Sequence, residues 1–359
     1  MKKYSQKFMV VGSANLFFWL TALFFSPLEV FFRNLEEFTF PVNHVWWVML
    51  AFAFAIALVV SSLEAVLPGK TVIWIAAIIT LGGICFYVQM LFLNGQMMEM
   101  MGENVPFTRE TVLRNLAVWA VIAVCFLLLC ILLRRRAGES KLQEVLLLAS
   151  VALIIIQVSG LVSTRLSLTE EDLNKDLYLS TQGEFELSPG RNVLYFILDT
   201  CDREYVESAL EADPDLFRDF TGFTNYRNST SKYSRTYPAL PYLLTGEKCY
   251  FDLPEREYVR QAFEKGSFVP EMNNAGVDIR LYTSLNYLDR DAYPMVDNVT
   301  TYNSSAFSIL SVKNLIKAMI RLGGYREMPY LLKPIFYYTP DPINRNVMKT
   351  LPDHYFTMT

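Results

Sequence analysis

Asp199 is a residue whose type and position could do chemistry. Asn192–Leu198 reads NVLYFIL, a continuous apolar run of strand length, and Asp199 follows it directly. A run without polar alternation is typical of a strand covered on both faces, as in a mostly parallel sheet flanked by helices. Because ligands bind beyond the carboxyl ends of such strands, the sequence predicts that Asp199 lies at a binding edge. The alternative is that Asp199 is only a helix N-cap or turn residue.

Thr236 is the second such residue. It lies in Ser231–Gly246, SKYSRTYPALPYLLTG, where a helix is predicted to begin near Thr236 or Tyr237 and to end at Gly246, which suits a left-handed C-cap. The N-terminus of a helix favours an anion, so the Thr236 hydroxyl would lie where an anionic group can bind. Arg235 beside it could steady an anionic substrate. A simple N-cap role for Thr236 stays open.

The segments around these two residues predict alternating helices and strands. Besides NVLYFIL, strands are expected near Phe223–Tyr226 and at Val277–Tyr282. Helices are expected at Arg203–Leu210, Glu255–Phe263, Val269–Ala275 and Phe307–Leu322. The sequence therefore predicts an α/β domain with a mostly parallel sheet flanked by helices.

The N-terminal part of the chain holds most of the apolar residues. The 359 residues are 52% hydrophobic and 14% aromatic, which is high for a soluble protein, and nearly all of the excess lies before Ser163. Five runs have the length with which a helix crosses hydrocarbon: about Phe8–Phe25, Val45–Val66, Thr71–Leu93, Leu116–Leu133 and Leu142–Val162. We therefore expect a five-helix transmembrane domain at 1–165, a polar linker at 166–190 and the α/β domain at 191–359.

Charged residues between the apolar runs predict the orientation. Basic residues collect in three regions that alternate with acidic or mixed ones: Lys2, Lys3, Lys7, Lys70, Arg134, Arg135, Arg136 and Lys141. Because such residues stay on the cytoplasmic side, we expect a multi-pass protein of the cell membrane with a cytoplasmic N-terminus and an extracytoplasmic α/β domain. The runs hold almost no ionisable residue apart from Glu64 at a segment end, and Asn15 and Gln157 are uncharged. This disfavours a transporter and favours an anchor.

Three segments carry a resemblance to a known family: NVLYFILDT, FTNYRNSTSKYSRTYPALPYLLTGE and FVPEMNNAGVDIRLYT, in this order. They resemble the N-terminal part of the sulfatase-like membrane enzymes of the alkaline phosphatase superfamily, which include the lipoteichoic acid synthases and the phosphoethanolamine transferases. The resemblance runs from the first apolar run to about Pro334. It is most specific at Asp199 and in the pattern T-x-P-x-L-P-x-L-L-T-G that begins at Thr236.

The resemblance implies that Asp199 is a metal ligand and that Thr236 is both the nucleophile and a metal ligand. The implied cofactor is a divalent metal (Mn, Zn or Mg), since coordination lowers the pKa of a hydroxyl enough for attack on phosphorus or sulfur. The implied partners are a membrane phospholipid as donor and a cell-envelope glycopolymer as acceptor. The nucleophile position holds Thr, not the Cys or Ser that true sulfatases modify, which favours phosphotransfer.

The sequence also departs from the family, which completes its metal site with an Asp-His pair and further histidines. This chain has two histidines, His44 near the second apolar run and His354 in LPDHYFTMT, where Asp353 precedes it but no Gly follows. We therefore expect an α/β domain that is incomplete at its C-terminus. Cys201 and Cys249 are expected to be free thiols, with a disulfide as the alternative.

These observations predict a membrane-anchored transferase or hydrolase that moves a phosphoglycerol or phosphoethanolamine group through Thr236. The alternative is a truncated, catalytically inactive membrane protein or a lipid-binding accessory protein. A formal net charge of -4 argues against a nucleic-acid-binding protein, which needs a concentrated basic face.

Overall fold

The computed structural model describes residues 2–35, 38, 40, 42–94, 107–168, 177–199, 201–226, 228–301, 311–337, 343 and 346–347. Internal contacts divide these residues into two units. The bundle unit comprises the described residues within Met1–Asp176 and Tyr302–Pro352, and the second unit comprises those within Leu177–Thr301. The sequence had grouped 191–359 as one domain, whereas the structure groups its later part with the bundle.

Long apolar helices make up most of the bundle unit. A π-helical turn, Thr21–Phe25, joins the first helix to the second, so that the two form one continuous helical stretch. The helices are α1 Lys2–Leu20, α2 Ser26–Arg33, α3 Val42–Glu64, α4 Gly69–Val88 and α5 Arg109–Ser167. Four continuous stretches are long and apolar enough to cross a membrane: Tyr4–Arg33, Val45–Glu64, Gly69–Leu93 and Arg109–Ser167. The prediction of an N-terminal bundle of long apolar helices is confirmed.

The first part of α5 runs antiparallel to α4. At one end, the Asn115 side chain donates to Gln89 Oε1 at 2.8 Å, just after the last residue of α4. At the other end, the Arg134 guanidinium lies over the Trp74 ring, 5.8 Å from its centroid. Residue numbers therefore decrease along α4 in the direction in which they increase along this part of α5.

Gly138 reverses the direction of α5. Its dihedral angles, φ 87° and ψ 172°, break the helix. Beyond it, the Ser150 hydroxyl lies 3.5 Å from the Thr80 hydroxyl, and the Gln157 amide donates to Thr21 Oγ1 at 3.0 Å. The second arm of α5 therefore runs in the same direction as α4, and the two arms of α5 form a hairpin. Each arm is long enough to cross hydrocarbon.

A pair of glycine substitutions tests this hairpin. Gly138→Ala is expected to destabilise the chain by about 1–2 kcal/mol, because an L-residue is strained at positive φ. Gly160→Ala, within the second arm, is expected to be neutral or stabilising by up to about 1 kcal/mol. An added Cβ meets nothing within 4 Å at either site, so backbone conformation is the difference between them. Thermal unfolding of the full chain in detergent measures both. A shift in the same direction for both variants would contradict the hairpin.

Polar side chains within the bundle hold helices together. The Asn15 amide on α1 donates to Glu64 Oε2 on α3 at 2.6 Å, and Trp19 Nε1 donates to Asn15 Oδ1 at 3.2 Å. Gln157 bonds to the turn after α1. These are structural interhelical bonds of the kind found between membrane helices.

The second unit contains short helices and a small sheet. The helices are α6 Arg203–Ala212, α7 Thr236–Thr245, α8 Glu255–Lys265 and α9 Phe268–Asn274, with 3₁₀ turns at Leu285–Tyr287 and Arg290–Met295. Strands β1 Leu177–Leu179 and β2 Val299–Thr301 pair antiparallel, with Tyr178 opposite Thr300. The predicted helices in this part of the chain are confirmed within a few residues. Gly246 ends α7 with φ 77°, as its position predicted.

The predicted strands are wrong in the described residues. Asn192–Leu198 forms no ladder, and its side chains are exposed, from 50% at Ile197 to 81% at Val193. Phe223–Tyr226 is also irregular. A strand needs a backbone partner, and neither segment meets one within the described ranges. The mostly parallel sheet is therefore not present in the part of the chain that the structure describes.

Val277–Tyr282 also lacks a sheet, because side chains take the place of a neighbouring strand. Asp297 Oδ2 accepts from the backbone N–H of Ile279 at 2.6 Å. Asn298 exchanges two bonds with the backbone of Leu281, accepting at 2.9 Å and donating at 2.6 Å. It also donates to the Ser180 carbonyl at 2.9 Å. Asn298 thus joins two chain segments from a position that is 1% exposed.

Asn298→Ala is expected to loosen the second unit by about 2–4 kcal/mol, because it leaves the partly buried backbone groups of Leu281 and the buried carbonyl of Ser180 without their side-chain partner. The exposed Asn228, which also begins an Asn-X-Thr sequence, supplies the control Asn228→Ala. The rate of limited proteolysis of the full chain reports opening of this unit without requiring two-state unfolding. Equal rates for the two variants would show that the Asn298 network is not structural.

Two later helices belong to the bundle unit: α10 Val312–Glu327 and α11 Lys333–Phe336. The apolar face of α10 packs into the core formed by the end of α1, α2 and the start of α3. Gly323 permits this approach, because a Cβ there would lie 2.9 Å from Pro27 Cγ and 3.0 Å from the Ala22 carbonyl oxygen. The helix predicted at Phe307–Leu322 is confirmed from Val312 onward and continues to Glu327; residues 307–310 lie outside the described part of the chain.

Candidate functional site

Asp199 and Thr236 lie together in the second unit. The Thr236 hydroxyl donates to Asp199 Oδ1 at 3.2 Å, across 37 positions of sequence. Asp199 is exposed and Thr236 is half-buried. The structure therefore brings together the two residues that the sequence singled out. The Asp199 carboxylate accepts a hydrogen bond from the Thr236 hydroxyl, and solvent can reach both groups.

A cluster of tyrosines fixes the chain around Thr236. Tyr237, the next residue, stacks edge-on against Tyr258, with ring centroids 6.0 Å apart. The Tyr258 hydroxyl donates to the Glu247 carbonyl at 2.7 Å, and the Tyr233 hydroxyl accepts from the backbone N–H of Cys249 at 2.8 Å. The Tyr233 bond ties the segment before α7 to the segment after it, and the Tyr258 bond ties that second segment to α8.

Burial raises the pKa of both Tyr237 and Tyr258, and the neighbouring Cys249 adds to the effect. Both phenols therefore stay protonated at physiological pH. They act as neutral hydrogen-bond donors that hold the segment in place, and they are unsuited to accept a proton from a substrate.

The start of α7 differs from the anion site that the sequence predicted. Tyr237 and Pro238 depart from helical dihedral angles, so the regular part of α7 begins three residues after Thr236, at Ala239. Pro238 and Pro241 carry no N–H, so they remove two of the donors that a helix N-terminus offers an anion. Arg235 makes no capping hydrogen bond there and is exposed. Anion binding at this point would depend on side chains more than on the helix terminus.

The pair alone does not fit a divalent metal. Within the described ranges, no group of three or more His, Cys, Asp or Glu side chains lies close enough to hold a metal ion. One carboxylate and one hydroxyl are two ligands, fewer than Zn²⁺, Mg²⁺ or Mn²⁺ takes from a protein and its waters. The side chain of His44 and the Asp353-His354 pair lie outside the described residues. What the pair itself offers is transfer of the hydroxyl proton to the carboxylate.

Other side chains near the pair have structural roles. The Thr245 hydroxyl donates to the Pro241 carbonyl at 2.7 Å and accepts from the Glu247 N–H at 3.1 Å, which is a structural role. Cys201 is exposed, Cys249 is buried, and both are free thiols, as expected.

A second cluster of charged residues lies in the bundle unit, and sequence reasoning missed it. Arg326, at the end of α10, is 3% exposed, and its Nη2 lies 3.0 Å from Glu29 Oε1 on α2. Glu29 also pairs with Arg33 at 3.1 Å. Glu327 and Lys333 are each 1% exposed beside this pair. Lys333 Nζ donates to the carbonyls of Tyr325 and Arg326, which closes the C-terminus of α10.

Burial perturbs each charge on this C-terminal segment. It raises the pKa of the Glu327 carboxyl well above its usual range, and it lowers the pKa of the Lys333 ammonium to about 7. It also lowers the pKa of Arg326, against the attraction of Glu29. The cluster thus consists of Glu29 paired with Arg326 and Arg33, next to two groups that burial drives toward their neutral forms.

A network of amides adjoins the charged cluster. Gln89 Nε2 donates to Asn94 Oδ1 at 2.8 Å, and Asn94 Nδ2 donates to the Arg326 carbonyl at 2.8 Å. Asn115 Oδ1 accepts from the backbone N–H of Tyr330 at 3.1 Å. The bonds run from α4 and α5 to the segment after α10, so this end of the bundle and the C-terminal segment are held as one structure.

No protein-family model matches the chain, and neither a curated protein nor a solved structure is significantly similar to it. The function of the Asp199–Thr236 site therefore has to be inferred from its geometry.

Proposed function

We propose that the chain is a membrane-anchored, sulfatase-like transferase or hydrolase that takes a phosphoglycerol or phosphoethanolamine group from a phospholipid through Thr236. The observation that carries the proposal is the 3.2 Å hydrogen bond from the Thr236 hydroxyl to Asp199. A carboxylate within hydrogen-bonding reach of a hydroxyl is the arrangement that an activated nucleophile needs. The fixed segment around Thr236 adds the positioning on which such catalysis depends.

The chemistry uses the two side chains in sequence. Asp199 accepts the proton of the Thr236 hydroxyl as its oxygen attacks the phosphorus of the headgroup. The bond from phosphorus to the diacylglycerol oxygen breaks, and the leaving alcohol takes up a proton. An acceptor hydroxyl or water then attacks the phosphothreonine ester and releases Thr236. A divalent metal, Mn, Zn or Mg, would need ligands in addition to this pair, and it would supply charge neutralisation at the phosphoryl oxygens.

Membrane placement follows from the same proposal. Two antiparallel arms of α5 together with the three other apolar stretches give five crossings. Basic residues at the N-terminus and beside Gly138 favour a cytoplasmic location for those ends. An odd number of crossings then puts the second unit outside, where lipid headgroups are the available phosphodiesters and a cell-envelope glycopolymer is the natural acceptor.

Reconstitution tests the proposed activity. The full chain is placed in vesicles that contain phosphatidylglycerol labelled in the headgroup glycerol, with Mn²⁺ present, and the release of labelled water-soluble product is measured. The proposal expects release that depends on both Thr236 and Asp199. Release that persists in Thr236→Ala would sink it.

A second candidate is a catalytically inactive lipid-binding accessory protein. The lack of a third metal-ligating side chain near Asp199 in the described residues favours this alternative. This alternative expects the chain to bind phosphatidylglycerol in the same vesicles without releasing label, both with Thr236 and with Thr236→Ala.

A further inference from the structure

Helix α10 has two unlike faces. Leu315, Ala318, Met319 and Leu322 are buried against the bundle. The opposite face exposes Lys313, Lys317 and Arg321, spaced four residues apart and therefore aligned in one stripe. The helix has one acidic residue, Glu327, at its last position, and that residue is buried. The exposed face of α10 thus carries three basic residues in one row.

The packing of α10 places this stripe near one surface of the membrane that the bundle spans. The stretch Tyr4–Arg33 has 30 residues and is about 45 Å long, longer by about 15 Å than a hydrocarbon core. Lys7, near its start, bonds to the Leu67 carbonyl at 2.7 Å, at the far end from α2. The part of this stretch that extends beyond the hydrocarbon is therefore α2, against which α10 packs. Trp47, exposed at the start of α3, marks the same level, since tryptophan concentrates at membrane surfaces.

The segment that follows α10 exposes apolar side chains. Leu331, Leu332 and Ile335 are exposed on and beside α11, although they belong to the bundle unit. Basic residues together with exposed apolar residues at the level of the headgroups are the features of an element that lies in a membrane interface.

We propose that α10 and α11 form an interfacial element whose stripe, Lys313, Lys317 and Arg321, binds the phosphates of anionic lipids. Charge complementarity selects this occupant, because a stripe of three cations at headgroup level meets phosphodiester anions. The stripe lies in the bundle unit and includes neither Thr236 nor Asp199, so it is independent of the transfer chemistry. It would fix the C-terminal segment on the membrane surface.

Native mass spectrometry of the full chain in detergent measures the binding of phosphatidylglycerol against equimolar phosphatidylcholine. The wild-type chain is expected to prefer phosphatidylglycerol. The triple variant Lys313→Gln, Lys317→Gln, Arg321→Gln is expected to weaken that binding at least about tenfold, because each basic residue near anionic headgroups contributes to affinity. Its binding of phosphatidylcholine should not change.

The second unit offers a matched control with the same loss of charge: Lys232→Gln, Lys248→Gln, Arg256→Gln, all at exposed positions. This control should bind phosphatidylglycerol like the wild type. A charge-conserving variant, Lys313→Arg, Lys317→Arg, Arg321→Lys, should retain binding and so excludes misfolding as the cause. Free glycerol 1-phosphate should not compete, because the proposal names a lipid surface. Equal losses in the two Gln variants, or no preference in the wild type, would overturn the proposal.

Discussion

Glu29→Ala is expected to destabilise the bundle unit by about 3–5 kcal/mol. The substitution leaves the Arg326 guanidinium without its carboxylate at a position where the side chain is 4% exposed. Removing one partner of a buried ion pair costs this much, because the remaining charge stays in a low-dielectric interior. Arg33, which is 44% exposed, can turn to solvent, so the loss falls mainly on Arg326. Thermal unfolding in detergent measures the effect, as a lower midpoint for the full chain.

The control for Glu29 is another Glu–Arg pair in the same unit. Glu110 pairs with Arg114, but these side chains are 72% and 78% exposed. Glu110→Ala is therefore expected to change stability by less than about 0.5 kcal/mol. Adding Arg326→Met to Glu29→Ala should recover much of the loss, since it removes the uncompensated charge. Equal effects of Glu29→Ala and Glu110→Ala would mean that the contact with Arg326 does not secure α10.

Thr236→Val is expected to lower headgroup transfer by at least about 10³-fold, with the fold intact. Valine keeps the shape of threonine but removes the oxygen that attacks phosphorus, and the loss of a nucleophile costs several orders of magnitude. Thr236→Ser keeps the oxygen and is expected to retain a measurable part of the rate. Initial rates of label release from phosphatidylglycerol vesicles compare the three proteins.

Thr245→Val supplies the matched control, because Thr245 also lies in α7 and its hydroxyl has a structural role. It is expected to lower stability modestly and to leave the rate per folded molecule unchanged. If both valine variants lowered the rate equally, the effect of Thr236→Val would be a folding defect and the nucleophile assignment would fail.

Much of the helical structure could be predicted from the sequence, because its signals are local. Apolar runs of spanning length predicted the bundle, and Gly246 predicted the end of α7. The charged cluster could not be predicted in this way, since Glu29 and Arg326 are 297 positions apart and only the folded chain joins them. One signal was present: an Arg-Glu pair directly after the apolar residues of α10, with a lone Glu29 just past the first apolar run.

The predicted strands failed for a related reason. NVLYFIL has the composition of a buried strand, yet composition cannot supply the neighbouring strands that satisfy its backbone. At Val277–Tyr282 the side chains of Asp297 and Asn298 replaced such a neighbour, which no periodicity indicates. The sequence singled out Asp199 and Thr236 through the resemblance, but their hydrogen bond was not predicted and only the folded chain shows it.

Mass spectrometry of Thr236 itself tests the central claim most directly. The full chain is incubated with phosphatidylglycerol vesicles and Mn²⁺, quenched and digested, and the tryptic peptide Thr236–Lys248 is fragmented. The account predicts a phosphoglycerol group on Thr236 and none on Thr245, with the adduct lost or strongly reduced in Asp199→Asn. Turnover of phosphatidylglycerol with Thr236 unmodified at every time point, or an adduct that forms equally without Asp199, would contradict it.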